Sequence, residues 1–126
     1  MKLRIKGDSI RMRLTQTEVN TFGESGVIED RVRFSPEQSL VYRLEREEQG
    51  ALRAEFHGNT LTVFVPDVIA GQWVGTQQVG FRGEVPIDSY DGDVLRILVE
   101  KDFHCLIPRP DEDESDHYAN PLAKSE

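Results

Sequence analysis

Polar and apolar side chains alternate along the first stretch of the chain. The apolar positions are Leu3, Ile5, Ile10, Met12 and Leu14. A period of two is typical of strands with one buried face. Gly7-Asp8 interrupts the alternation, and glycine favours the tight turn of a hairpin because it adopts a positive φ at little cost. The pattern therefore predicts a β-hairpin with one face turned to the core.

A short helix is predicted directly after this hairpin. Thr15 and Glu18 have the spacing of a capping box, in which the threonine hydroxyl accepts from the glutamate N–H and the glutamate side chain reaches back. Phe22 falls on the apolar side of the following two turns. Gly23 or Gly26 is the expected end, because a left-handed glycine commonly terminates a helix.

The same series of elements recurs 51 residues further along the chain. Gly58-Asn59 corresponds to Gly7-Asp8, and Trp73 corresponds to Phe22. Pro66-Asp67 opens the second predicted helix, since proline suits the first turn. Each copy, about 1–48 and 51–102, predicts two strands, a short helix and two further strands.

These repeats predict an α+β fold made of internally duplicated ββαββ units. We expect about eight antiparallel strands in a curved or barrel-like sheet, with two short helices on one side. The second halves of the copies place strands near residues 27–34, 39–47, 78–87 and 94–101, the last two joined through Asp91-Gly92. Residues 1–109 are expected to form a single domain. Residues 110–126 have little to bury and are predicted to be a disordered, acidic C-terminal tail.

Charge is distributed unevenly along the 126 residues, whose net charge is −8. Most of the excess lies in residues 110–126, which contain six acids and one lysine. The near balance elsewhere argues against general nucleic-acid binding, because such binding needs a basic surplus on one face. No apolar run approaches the roughly 20 residues of a membrane span. A single cysteine, Cys105, excludes an internal disulfide, and we expect a cytoplasmic protein.

Cations crowd one face of the first hairpin. A turn at Gly7-Asp8 sets Arg4 opposite Arg11 and Lys2 opposite Arg13, with Lys6 on the same side. Like charges directly opposite destabilise a sheet by up to about 1 kcal/mol per pair, so something must offset them. The second hairpin does not share the pattern; its equivalent positions hold Arg53, Glu55, His57, Thr62 and Phe64.

Three interpretations of this face stay open. Glu45 and Glu47, on a neighbouring strand, could pair with the arginines. The acidic tail could fold back over them. The third interpretation is an anion- or partner-binding site that uses the bidentate geometry of arginine. Its candidate residues are Lys2, Arg4, Arg11 and Arg13.

No residue is predicted to be catalytic, and no metal or cofactor is expected. His104 and Cys105 are neighbours in sequence, so their side chains would leave a strand on opposite faces. The acidic run that ends at His117 lacks the glycine and terminal glutamate of a calcium loop. The sequence contains neither a phosphate-binding glycine loop nor a nucleophile elbow.

Two end segments of the chain resemble an uncharacterised family of small bacterial proteins. The residues that carry the resemblance are 2–11 (KLRIKGDSIR), Arg13-Leu14-Thr15-Gln16, 100–106 (EKDFHCL), Pro108-Arg109 and 111–116 (DEDESD). It implies a bacterial, cytosolic protein and no particular activity. The order of elements is also similar to that of the CYTH triphosphate tunnel superfamily. Its members carry Glu-x-Glu-x-Lys on the first strand, where this chain has Lys2-x-Arg4-x-Lys6 and so lacks the metal-binding carboxylates.

The sequence favours a non-enzymatic binding or interaction domain that uses the basic hairpin face or the acidic tail. The alternative is a small enzyme acting on an anionic, phosphate-containing substrate. A concave pocket that combines the arginines with a carboxylate would favour the enzyme, and a flat face would favour the binding domain. Dimerisation through an exposed strand edge stays open.

Overall fold

The computed structural model describes residues 1–87 and 92–102. Its elements are β1 (Lys2–Ile5), β2 (Ser9–Leu14), α1 (Gln16–Ser25), β3 (Val27–Arg33), β4 (Ser39–Glu47), β5 (Arg53–His57), β6 (Thr60–Pro66), α2 (Asp67–Gly75), β7 (Gly80–Pro86) and β8 (Val94–Lys101). The order of two strands, helix and two strands occurs twice, so the predicted α+β class is confirmed. The predicted tail, Cys105 and Asp91 lie outside the described residues.

The strands form two four-stranded sheets rather than one. Sheet A has the order β1-β2-β8-β7, and sheet B has the order β3-β4-β6-β5. The central pairs, β2–β8 and β4–β6, are parallel, and the outer pairs are antiparallel. The prediction of one curved or barrel-like sheet is therefore wrong for the described part of the chain, and the predicted antiparallel pairing holds for the outer pairs but not for the central ones. Each helix carries the chain from one sheet to the other, so the strand after the helix cannot pair with the strand before it.

Register relates the two sheets position by position. Arg4 pairs with Arg11 in β1–β2, as predicted, and Glu55 pairs with Thr62 in β5–β6. The parallel ladders then make β8 equivalent to β4, and the outer ladders make β7 equivalent to β3. Positions in sheet A and sheet B correspond as Arg4 to Glu55, Arg11 to Thr62, Leu98 to Arg43, and Arg82 to Glu29.

One hydrophobic core joins both sheets and both helices. Phe22 of α1 and Trp73 of α2 are fully buried, as predicted, with ring centroids 6.1 Å apart. Trp73 also meets the ring of Phe81 edge-on at 5.3 Å. Its indole Nε1 donates to the carbonyl oxygen of Val79 at 3.0 Å, so its one polar atom is satisfied.

The predicted capping box begins α1. The backbone N of Glu18 donates to Thr15 Oγ1 at 3.4 Å, and Glu18 Oε1 accepts from the backbone N of Thr15 at 2.9 Å. Gly26 ends the helix with a φ of 78°, and its N–H donates to the Phe22 carbonyl at 2.8 Å. The helix therefore has side-chain partners at its first turn and a left-handed glycine at its end.

Candidate functional site

The surface of sheet A that points away from the core collects the cations that the sequence placed on the first hairpin. The ladders arrange its side chains in three rows across β1, β2, β8 and β7. Row one holds Lys2, Arg13, Glu100 and Gly80. Row two holds Arg4, Arg11, Leu98 and Arg82. Row three holds Lys6 at the turn, Ser9, Arg96 and Glu84. We call these three rows the cationic face.

Carboxylates of β8 and the residue after it neutralise row one. Arg11 Nε donates to Glu100 Oε1 at 2.7 Å, and Arg13 Nε lies 3.4 Å from the same oxygen. Lys2 Nζ lies 3.2 Å from Asp102 Oδ2. Glu100 is only 17% exposed, so its ion pairs are less screened by solvent than a surface pair. One strand thus offsets much of the repulsion within the first hairpin.

Glu45 and Glu47 do not supply this offset, and the interpretation that paired them with the first hairpin is wrong. Their strand, β4, lies in sheet B. Glu47 pairs there with Arg53, and Glu45 lies 3.3 Å from Arg43. The strand order explains this, because β2 lies between β1 and β8 in sheet A and does not pair with β4.

Rows two and three remain cationic. Within the described residues, Arg4, Lys6, Arg82 and Arg96 have no carboxylate at ion-pair distance. A shallow depression of about 330 Å³ is lined by Arg4, Lys6, Ser9, Arg11 and Leu98. An adjoining depression of about 440 Å³ is lined by Ser9, Arg82, Gly83, Glu84, Arg96, Ile97 and Leu98. The two depressions share Ser9 and Leu98, so these four cations border one continuous region of the surface.

The outer surface of sheet B has a balanced charge at the equivalent positions. Its described cations are Arg31, Arg33, Arg43 and Arg53, and its carboxylates are Glu29, Glu45, Glu47 and Glu55. Arg53 pairs with Glu47 and Glu55 and lies 4.0 Å from the centre of the Phe64 ring. Hydrogen bonds to these carboxylates raise the pKa of Arg53, and the bond from Arg53 lowers the pKa of Glu55. We call this surface the balanced face.

The cationic face has the chemistry of an anion receptor. Guanidinium groups donate two parallel hydrogen bonds to a carboxylate or phosphate, and Lys6 adds a compact charge. Among the residues that line the two depressions, the one carboxylate is Glu84. In the part of the chain that the structure describes, no group of histidine, cysteine, aspartate and glutamate side chains is placed to hold a metal.

Sequence reasoning placed Lys2, Arg4, Arg11 and Arg13 together, and the ladder brings all four to one face. It missed Arg82 and Arg96, which join that face from β7 and β8. Their alternation along those strands is visible in the sequence, but the strand order that sets them beside Arg4 is not. His104, Cys105 and the acidic run that includes Asp113, Glu114, Asp116 and His117 lie outside the described residues.

Fold and face together define a two-sheet α+β domain with one cationic outer surface. The chain belongs to a family of unknown function, DUF7009, whose profile matches residues 1–122. This match confirms the resemblance to an uncharacterised family, while the likeness to the CYTH superfamily stays a prediction. No curated protein and no solved structure matches the chain. Neither described helix is long and apolar enough to cross a membrane.

Proposed function

We propose that this chain is a non-enzymatic binding domain that holds an anionic ligand, or an anionic segment of a partner, on the cationic face. The observation that carries the proposal is the set of adjacent cations without carboxylate partners among the described residues, Arg4, Lys6, Arg82 and Arg96. The same ladder positions in sheet B hold Glu55 and Glu29 in place of Arg4 and Arg82. The fold therefore does not require cations at these positions.

Energetics favour an occupied face. Arg4 and Arg11 lie directly opposite each other, a pairing that destabilises by up to about 1 kcal/mol. A carboxylate or phosphate between two guanidinium groups reverses the sign of this interaction. Each added ion pair on this exposed face contributes up to about 1 kcal/mol. Binding thus adds partners for the cations that Glu100 and Asp102 do not reach.

The alternative, an enzyme acting on a phosphate-containing substrate, has less support. General acid–base chemistry needs a poised proton donor or acceptor beside the bound phosphate. Glu84 is the one such group that lines the depressions; it shares the larger one with Arg82 and Arg96, while the depression beside Arg4 and Arg11 has no carboxylate in its lining. A binding role needs only the cations of rows two and three and requires no proton donor or acceptor.

We also propose that the two halves arose by internal duplication. The shared register of the two hairpins supports this, since Arg4–Arg11 and Glu55–Thr62 occupy the same ladder position. The equivalent backbone bonds from Arg96 N to Asp8 O and from Val41 N to Asn59 O, both 2.9 Å, support it further. An alignment of family members tests the proposal. Greater sequence similarity between the two halves in other members would support it, and halves with unrelated patterns would contradict it.

Binding is tested by an amide NMR titration of the ¹⁵N-labelled full chain. The probes are tripolyphosphate and a hexaglutamate peptide, each raised to millimolar concentration at low salt. We expect shifts that cluster on rows two and three of the cationic face. The Arg4→Gln/Arg82→Gln variant should lose them.

The matched control is Arg31→Gln/Arg33→Gln, which removes two exposed arginines from the balanced face. This control should bind as the unmodified chain does. The proposal is wrong if neither anion shifts the cationic face, or if both double variants weaken binding equally.

A further inference from the structure

The sequence beyond the described part of the chain contains a compact acidic segment. Residues 111–116 read Asp-Glu-Asp-Glu-Ser-Asp, so five of six positions are carboxylates and none is a cation. Lys124 is the one cation in residues 110–126. The same chain therefore carries both a surface with surplus cations and a segment with surplus carboxylates.

The described chain ends at the border of the cationic face. Asp102 follows β8, its backbone N donates to the Leu14 carbonyl at 2.8 Å, and its carboxylate pairs with Lys2 in row one. Leu98, in row two, lies four residues back along the strand, which is roughly 13 Å at 3.3 Å per residue. Arg96, in row three, is roughly 20 Å back by the same measure.

The connecting residues are long enough to bring the acidic segment to this surface. Residues 103–110 span at most about 26 Å when extended, which exceeds the distance to row three. Sheet A is about 14 Å wide from β1 to β7, because neighbouring strands lie about 4.8 Å apart. Six extended residues cover about 20 Å, so the segment is long enough to contact Arg4 and Arg82 together.

We infer that residues 111–116 bind the cationic face of their own chain and compete there with an external anion. This inference rests on the proposed function, because it assigns a regulator to the same site. Charge complementarity selects the cationic face over the balanced face. Covalent attachment gives the segment an effective concentration on the order of millimolar, so weak ion pairs suffice to occupy the site. An external ligand must displace the segment before it binds.

The experiment compares two full-length variants of equal net charge. One carries Asp111→Asn, Glu112→Gln, Asp113→Asn and Glu114→Gln. The other carries Glu24→Gln, Glu37→Gln, Glu48→Gln and Asp93→Asn, which remove four exposed carboxylates that lie outside both faces. The matched net charge cancels the general effect of acidity on anion binding. The probe is a fluorescein-labelled hexaglutamate peptide, and its anisotropy gives Kd.

We expect the variant of residues 111–114 to bind the probe about tenfold more tightly than its control, the factor for a tethered competitor whose own Kd is about a tenth of its effective concentration. We also expect Arg4→Gln/Arg82→Gln in the unmodified chain to shift the amide resonances of residues 111–116. Equal Kd values for the two quadruple variants would overturn the inference and leave the proposed function standing. A Kd difference that grows with protein concentration would overturn it in favour of an exchange between chains. Absence of binding by every variant would overturn the proposed function itself.

Discussion

The cationic face of sheet A and the balanced face of sheet B have the same ladder geometry and opposite electrostatic character. Row two of the cationic face sets three arginines around Leu98. The equivalent row of the balanced face holds Glu55, Thr62, Arg43 and Glu29. Backbone pairing is the same in both sheets, so the cations of sheet A are not needed to form that pairing. The proposed function assigns these cations to ligand binding.

The inward positions of the two sheets differ far less. Met12 and Leu14 of β2 correspond to Val63 and Val65 of β6, and all four are fully buried. Burial of an aliphatic side chain stabilises the fold by about 1.5–3 kcal/mol. These positions therefore require apolar residues in both sheets. The outer positions carry no such constraint, so their side chains can differ between the two sheets.

Truncation of the shared core should have the largest effect. Trp73→Ala is expected to destabilise the domain by about 3–5 kcal/mol, because the indole contacts Phe22 and Phe81 in a core common to both sheets. Chemical denaturation followed by circular dichroism measures the loss. Phe34→Ala is the control, since Phe34 is 68% exposed and its truncation should cost under about 0.5 kcal/mol. Sheets that unfold in separate transitions would show that the two faces do not share one core.

Removal of the carboxylate in row one should distinguish the two faces. Glu100→Gln is expected to lower the free energy of unfolding by about 1–2 kcal/mol. The Glu100 carboxylate accepts a hydrogen bond from Arg11 and forms an ion pair with Arg13. Glu45→Gln, at the equivalent position, should cost under about 1 kcal/mol, since Glu45 pairs with Arg43 on a balanced surface. Denaturation midpoints of the two variants give the comparison. Equal losses would mean that repulsion on the cationic face is not significant.

The capping box predicts a smaller loss. Thr15→Ala should cost about 1 kcal/mol, because the N–H of Glu18 loses its side-chain acceptor at the start of α1. Thr15→Ser keeps the hydroxyl and should retain most of that stability. Thermal unfolding of both variants checks the prediction. A serine variant as unstable as the alanine variant would point to the methyl group rather than the cap.

Acidification should lower the stability of the domain slightly through Glu55 on the balanced face. This is the smallest of the expected effects. Arg53 lowers the pKa of Glu55, so the contribution of this pair is present above the ordinary glutamate pKa of about 4.3. It is lost as the pH falls through the lower pKa of the folded state. Stability measured across this acidic range should fall less steeply for Glu55→Gln than for the unmodified chain. Parallel curves would contradict the assignment.

Local patterns predicted the elements and the first hairpin well. The alternation around Gly7-Asp8 predicted the pairing of Arg4 with Arg11, and the spacing of Thr15 and Glu18 predicted the capping box. These features depend on residues close together in the chain. The parallel contact between Ser9 and Arg96 does not. Such pairing depends on how the helices and the core arrange whole hairpins, so the sheet order, and with it the place of Arg82, could not be predicted.

An exchange of charges between the two faces tests the central claim most directly. Arg4→Glu and Arg82→Glu give the cationic face the residues of the balanced face. Glu55→Arg and Glu29→Arg make the reverse change, and all four substitutions leave the net charge unaltered. Tripolyphosphate is titrated into each ¹⁵N-labelled full chain, and the dispersion of the amide spectrum confirms folding.

We expect the unmodified chain to bind tripolyphosphate on rows two and three of sheet A. Arg4→Glu/Arg82→Glu alone should abolish this binding. The full exchange should move the shifted resonances to sheet B, around Thr62 and Arg43. Shifts that remain on sheet A after the exchange would contradict this prediction.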